Sequence, residues 1–216
     1  MNCIIAFLHI ILNSIWYNCG VDWCIHRKIG KNRTARNLRK VSGMAKYYLI
    51  RHGEADYEGL SEKGFFGFGR DFAPLSEVGI KQAEETARDE RLKTAEIIVS
   101  SPYTRALQTA AIISRETGLK IKVENDLHEW IPDKRNRYST TEEAIALYEE
   151  FMANHGEYPQ DREYSWETMS EMRERMRKVK DKYAGYNKVI FVSHSMALSA
   201  LKPTLNMKPA EIVELD

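Results

Sequence analysis

The chain has 216 residues, with 32 Lys and Arg against 31 Asp and Glu, and is 43% hydrophobic and 29% charged. That length suits one sizeable domain, or one domain plus a tail, and the composition excludes a disordered, collagen-like or many-helix membrane protein. The near-balance of charge hides an asymmetry. Residues 1–43 hold seven Lys or Arg, a single acid (Asp22) and all three cysteines (Cys3, Cys19, Cys24). Residues 44–216 hold 25 Lys or Arg, 30 acids and no cysteine, so neither disulfides nor thiolate chemistry can serve there.

Residues 4–17 form an apolar run broken by His9, Asn13 and Ser14. It is shorter than the roughly 20 residues a membrane-spanning helix needs. Its positive charges follow it, the reverse of a secretory signal, and would favour a cytoplasmic C-terminal side if it did anchor. His9, Cys19, Cys24 and His26 match no zinc spacing. The basic stretch lacks the interleaved aromatics of a nucleic-acid module. Residues 1–43 therefore read as an extension, disordered or dispensable, or as upstream sequence read in frame before a start at Met44.

From there the pattern is regular. Residues 46–50 read as a strand ending at Arg51-His52-Gly53-Glu54. Residues 55–74 are loop-like, punctuated by Gly59, Gly64, Gly67, Gly69 and Pro74. Ser76 caps an expected helix over 77–91, and 95–100 is an apolar strand. Ser101-Pro102 starts a helix, a capping hydroxyl followed by proline, that stops at Gly118. Residues 121–123 make a third strand. Thr140 and Glu143 form a capping box for a helix to about 154. Ser165 is read as opening a longer helix whose Trp166, Met169, Met172, Met176, Val179 and Tyr183 share one buried stripe. Strands follow at 188–193 and 211–215. Strands alternating with helices predict a three-layer α/β fold, a mainly parallel sheet with helices on both faces.

Three of these strands end in reactive residues: Arg51-His52, Ser100-Ser101 with Arg105 one turn on, and His194. In an open α/β sheet the ligand lies outside the carboxyl ends of the strands. Parallel strands would thus bring two histidines and two arginines to one crevice. Paired guanidiniums and a nearby helix N-terminus suit a phosphoryl group, and a histidine there can act as nucleophile.

Arg51-His52-Gly53-Glu54 resembles the signature of the histidine phosphatase superfamily, the phosphoglycerate-mutase-like enzymes, in its branch 1. In the same order follow Pro74-Leu75-Ser76-Glu77-Val78-Gly79 with Gln82-Ala83, then Ser100 through Ala110, Leu127-His128-Glu129, and Val192-Ser193-His194. Together they span essentially all of 44–216. The resemblance implies that His52 forms a phosphohistidine, that Arg51, Arg105 and His194 bind the phosphoryl group, and that Glu129 protonates the leaving oxygen and then activates water. It implies a metal-independent, cofactor-free, cytoplasmic phosphomonoesterase acting on a small phosphorylated metabolite or a phosphopeptide. No nucleic-acid partner and no stable membrane association are expected, and the oligomeric state is not readable. Glu129 must be protonated while His52 is neutral, which gives a bell-shaped pH profile; Arg51 and Arg105 should lower the His52 pKa.

The chain departs from the pattern at Glu58, where many members carry Asn, and at Ser195, where many carry Gly. A carboxylate at Glu58 would repel phosphate, so the loop should be arranged differently. The Gly-Asn-Ser and Arg-x-Tyr-Gly stretches of the mutase branch are missing, which favours a phosphatase over a phosphomutase. A phosphate-binding module without turnover is the other rival, and the intact catalytic set argues against it. Glu124 and Asp126 are the alternative acids. His128 and His155 read as surface residues and Trp130 as packing. Specificity should come from 55–73 (Phe65, Phe66, Phe68, Arg70) and 130–164 (Lys134, Arg135, Arg137, Tyr138).

Overall fold

The computed structural model describes residues 45–60, 62–203 and 207–216. The chain divides into two units, Met1–Lys40 and Val41–Asp216, and every described residue belongs to the second. The expectations for residues 1–43 lie outside the described residues.

Five strands, β1 (Lys46–Arg51), β2 (Ile97–Ser100), β3 (Ile121–Val123), β4 (Lys188–Ser193) and β5 (Ile212–Leu215), form one sheet in the order β3-β2-β4-β1-β5. The first four are parallel and β5 runs antiparallel along the β1 edge. Strand alternation sorts the side chains to two cores. Tyr47, Leu49, Val99, Val189 and Phe191 face one side, where α4 (Met169–Lys182) covers them with Met172, Met176 and Val179. The short α5 (Ser195–Ser199) adds Ala197 and Leu198, and α3 (Thr141–Ala153) adds Phe151. Tyr48, Ile50, Ile98, Ile190 and Val192 face the other side, under Ala87 of α1 (Glu77–Ala87) and Ala106, Ala110 and Ile113 of α2 (Thr104–Thr117). Both faces of the parallel strands are thus buried, which is why they read as continuous apolar runs. This is the expected three-layer α/β arrangement.

Three helix boundaries differ from the expectation, each for a local reason. α1 ends at Ala87, and a single 3-10 turn (Leu92–Thr94) buries Leu92 before β2. α2 begins at Thr104, because the Ser101 hydroxyl is bonded to His194 and accepts only a long 3.3 Å bond from the Tyr103 N–H. α4 begins at Met169 and not near Ser165: Thr168 is its cap, exchanging hydrogen bonds with Glu171 in a second capping box. Trp166 is fully buried all the same, outside the helix.

Two glycines let the turn after β1 lie against the first turn of α1. A Cβ on Gly79 would sit 2.0 Å from the Glu54 carbonyl oxygen, and one on Gly53 would sit 2.4 Å from the Gly79 oxygen. The segment carrying His52 is therefore clamped to α1 by backbone contact. Gly79→Ala should destabilise the domain by about 3 kcal/mol, the upper range for overpacking, in urea unfolding. A change below about 0.5 kcal/mol, the size of an ordinary surface substitution, would show that the clamp yields freely.

Candidate active site

The carboxyl ends of β1, β2 and β4 meet at the middle of the sheet and present His52, Ser101 and His194 together. The His52 N–H donates to the Ser193 carbonyl at 3.0 Å, pinning the residue to the end of β4. Its ring Nδ1 lies 2.6 Å from the Gly53 carbonyl oxygen. A carbonyl only accepts, so Nδ1 carries the proton and Nε2 keeps its lone pair. Arg105 supplies the partner for that lone pair: its Nε donates to His52 Nε2 at 3.2 Å. The Gly53 backbone is itself fixed, its N–H donating to Thr109 Oγ1 at 3.1 Å while that hydroxyl donates to the Arg105 carbonyl. Thr109 and Arg105 are neighbours one turn apart on α2, so one helix orients both the turn that carries His52 and its guanidinium partner.

His52 is buried, and its pKa is pushed down to about 3, first by burial and then by the Arg105 and Arg51 charges. Both arginines act as expected, although removal from water is the larger cause. His194 is fully buried and its pKa is also held well below the ordinary value, by burial first and then by Arg105 and His52. The two rings lie 5.0 Å apart, edge to face. His194 Nε2 is 2.8 Å from Ser101 Oγ; with the hydroxyl donating, Nδ1 carries the proton and faces no partner among the described residues.

Arg51 sits at the end of β1, its Nη1 donating to the Met207 carbonyl and its Nε buried without a partner. Arg105 is nearly buried, with Nη1 unpartnered and Nη2 3.7 Å from Asp71 Oδ1. Three of the four buried, unpartnered side-chain polar atoms among the described residues therefore belong to Arg51, Arg105 and His194. Leaving such a donor unpaired costs roughly 1–3 kcal/mol, and three in one place mark an anion site.

Next to these residues lies a cavity of about 580 Å³, lined by Arg105, Glu129, Asp71, His128 and several aromatic residues; Arg51, His52 and His194 are not among its lining residues, and Arg105 joins it to them. Glu129 reaches it from the segment after β3. Its Oε1 accepts from the Trp130 and Ala197 N–H groups at 2.9 and 3.0 Å, and its Oε2 only from Met196 at 3.4 Å. It is thereby held against the start of α5, beside His194. The alternative acids do not line the cavity: Glu124 is bound by Lys182 and Tyr183 on the other side of its turn, and Asp126 is exposed.

Several residues differ from their sequence reading. His128 is not a surface residue; it is partly buried, lines the cavity and stacks near Tyr103. Glu58 is exposed and outside the cavity, with Tyr57 in the wall instead, so the feared repulsion does not arise. Trp130 packs on Phe151 and donates to the Glu167 carbonyl, as expected, while one face also meets the cavity. Of the expected specificity residues, Phe68, Arg70 and Tyr138 line the cavity; Phe65, Phe66, Lys134, Arg135 and Arg137 do not. Asp71 was not singled out at all. It lies on a 3-10 turn (Gly67–Phe72) without periodicity, and burial outweighs Arg105 to raise its pKa to about 6.

A His52 ring neutral down to about pH 3 cannot supply the acid limb of a pH profile above that. The same shift links to stability: the unfolded ring protonates near its usual value and the folded ring does not, so the contribution is present above pH 6.5 and lost as pH falls toward 3. Nitrogen NMR of the His52 ring should show Nδ1 protonated and Nε2 bare from pH 8 down to about 4. A ring titrating near 6.5 would contradict this geometry.

Comparison with known proteins agrees with the geometry. The model of the histidine phosphatase superfamily (branch 1) matches residues 47–215. A Hydrogenobacter thermophilus protein provisionally named phosphoserine phosphatase 2 is 30% identical over 163 residues, covering 73% of this chain and 77% of that one. A Yersinia pestis (strain Pestoides F) protein provisionally named phosphoglycerate mutase GpmB is 32% identical over 173 residues, covering 77% of each. Among solved structures, mycobacterial glucosyl-3-phosphoglycerate phosphatase superposes with a TM-score of 0.59 at 22% identity, covering 80% of this chain and 90% of that one. Bacillus stearothermophilus YhfR does so at 0.58 and 22%, covering 80% and 91%. The chain belongs to the histidine phosphatase superfamily, branch 1.

Proposed function

We propose that the protein is a phosphomonoesterase that works through a phosphohistidine on His52. The observation that carries this reading is the state of that ring: buried, neutral, its Nδ1 proton tied to the Gly53 carbonyl and its Nε2 lone pair turned to Arg105. Such a nitrogen needs no base to activate it. Arg51 Nε, Arg105 Nη1 and His194 Nδ1 are the donors for the phosphoryl oxygens, and they stabilise the charge spread over them in the transition state.

In the first step the Nε2 lone pair attacks phosphorus in line, the P–O bond to the alcohol breaks, and the departing oxygen takes a proton from Glu129. Oε2 is the oxygen suited to carry that proton, since its one backbone contact is the long one to Met196. In the second step water gives a proton back to Glu129 and attacks phosphorus; the P–N bond breaks and its electron pair returns to Nε2. Relatives of similar identity carry both a phosphatase and a mutase name. Hydrolysis is favoured over return of the phosphoryl group to a second hydroxyl because the mutase stretches are missing from the chain. The substrate is a small phosphorylated molecule, and the setting is cytoplasmic; among the described residues no helix is long and apolar enough to cross a membrane.

Trapping with labelled phosphomonoester must be done at alkaline pH, because acid destroys a phosphohistidine. The wild type should yield a labelled chain, and His52→Ala should abolish both the label and turnover. Label that survives the substitution would overturn the assignment of His52.

A further inference from the structure

The cavity is far larger than a phosphoryl group requires, and of Arg51, Arg105 and His194 it is Arg105 that lines it. Its volume is in the range that encloses a whole small-molecule ligand. Two stretches line much of it, Tyr57 with 68–71 and 130–144. Arg70 joins them, its Nη1 donating to Thr141 Oγ1 at 3.1 Å while its guanidinium lies 4.7 Å over the Tyr57 ring. Gly67 adds a second junction: a Cβ there would sit 2.6 Å from the Tyr138 carbonyl oxygen, so the segments touch backbone to backbone.

The walls so formed are aromatic: Tyr57, Phe68, Tyr103, Trp130 and Tyr138, with Ile131 and Pro132 beside them. The apolar surface continues outward. Tyr57, Phe65, Phe66, Phe68 and Phe72, all within 57–72, are 39–56% exposed. Ile145, Tyr148 and Met152 are exposed at three- and four-residue spacing along α3, the helix that gives Ala144 to the cavity wall. Single exposed apolar residues are ordinary, but aromatic residues that are both exposed and part of a cavity wall, as Tyr57 and Phe68 are, mark a binding surface.

Apart from Arg105, the charges of the cavity wall point the same way. The cation there is Arg70, already stacked on Tyr57 and bonded to Thr141. The anions are Asp71 and Glu129. A carboxylate on the departing alcohol would meet two carboxyl groups and no uncommitted cation of the wall. Asn125, Asn136 and His128 remain for uncharged polar contacts.

We infer that this site takes phosphomonoesters whose alcohol is large, apolar and uncharged, seated among Tyr57, Phe68 and Tyr138, and that it discriminates against phosphorylated three-carbon acids. The inference rests on the phosphomonoesterase reading and goes beyond it to the substrate class. Burying an aromatic ring system among such walls should be worth at least tenfold in kcat/KM, since one methylene alone is worth about tenfold or more in an apolar pocket.

The experiment compares naphthylmethyl phosphate with O-phosphoserine and 3-phosphoglycerate on the full chain. All three release alcohols of comparable basicity, so leaving-group ability does not dictate the order. The expected kcat/KM for naphthylmethyl phosphate is roughly tenfold or more above either acid. Phe68→Ala, at an exposed position outside both cores, should raise KM for naphthylmethyl phosphate several-fold more than for phosphoserine, with kcat moving less than KM. Preference for either acid, or equal losses on all substrates in the variant, overturns the substrate class while leaving the phosphatase reading standing. A wild type that hydrolyses none of the three overturns both.

Discussion

The contact between Arg105 Nε and His52 Nε2 is the constraint on which the site depends. A guanidinium is always charged, so its approach to an imidazole nitrogen at 3.2 Å is tolerable only if that nitrogen is unprotonated. Burial enforces the same state from the other side, and the Gly53 carbonyl leaves only one tautomer. The fold supplies what this contact needs. Parallel β1 and β4 set His52 beside His194, and α2, packed on the opposite face of the sheet from α4, delivers Arg105 in its first turn. Thr109, one turn later, ties the helix to the Gly53 amide.

This arrangement stores polar groups that the protein alone does not satisfy. Arg51 Nε, Arg105 Nη1 and His194 Nδ1 are buried donors without partners among the described residues. Buried polar groups are ordinarily paired, and the exceptions here cluster where the sheet opens. On the proposed reading a phosphoryl group would meet these donors and recover in binding the destabilisation they cause in the free protein. One structural ion pair is kept apart from them: Arg175 holds Glu167 and the carbonyls of Asp126, His128 and Glu129, which fixes the segment carrying Glu129 without drawing on Arg51, Arg105 or His194.

The sheet and the floor of the site were legible in the sequence because each rests on a short-range rule. Apolar runs ending in Arg51-His52 and Ser193-His194 mark buried parallel strands, and those strand ends bring the two histidines together. What the sequence concealed depends on long-range contact. Nothing local says that Ser101 will bond His194 across 93 positions and so leave α2 to start at Thr104. Thr168 and Glu171 were a legible capping box, but the apolar stripe through Trp166 drew the helix start earlier. Asp71, Tyr57 and His128 lie on irregular backbone, where no periodicity distinguishes a cavity wall from a solvated turn. The antiparallel direction of β5 likewise has no signature in four residues that are all half-buried.

The central claim is that hydrolysis passes through two displacements at phosphorus, the first by His52. The stereochemistry of the overall reaction tests it most directly. A phosphorothioate monoester made chiral with one heavy oxygen isotope would be hydrolysed in water carrying a different isotope, and the configuration of the product read by phosphorus NMR. Two in-line displacements invert twice, so the account predicts net retention. Net inversion would mean that water attacks the substrate directly, and would contradict it.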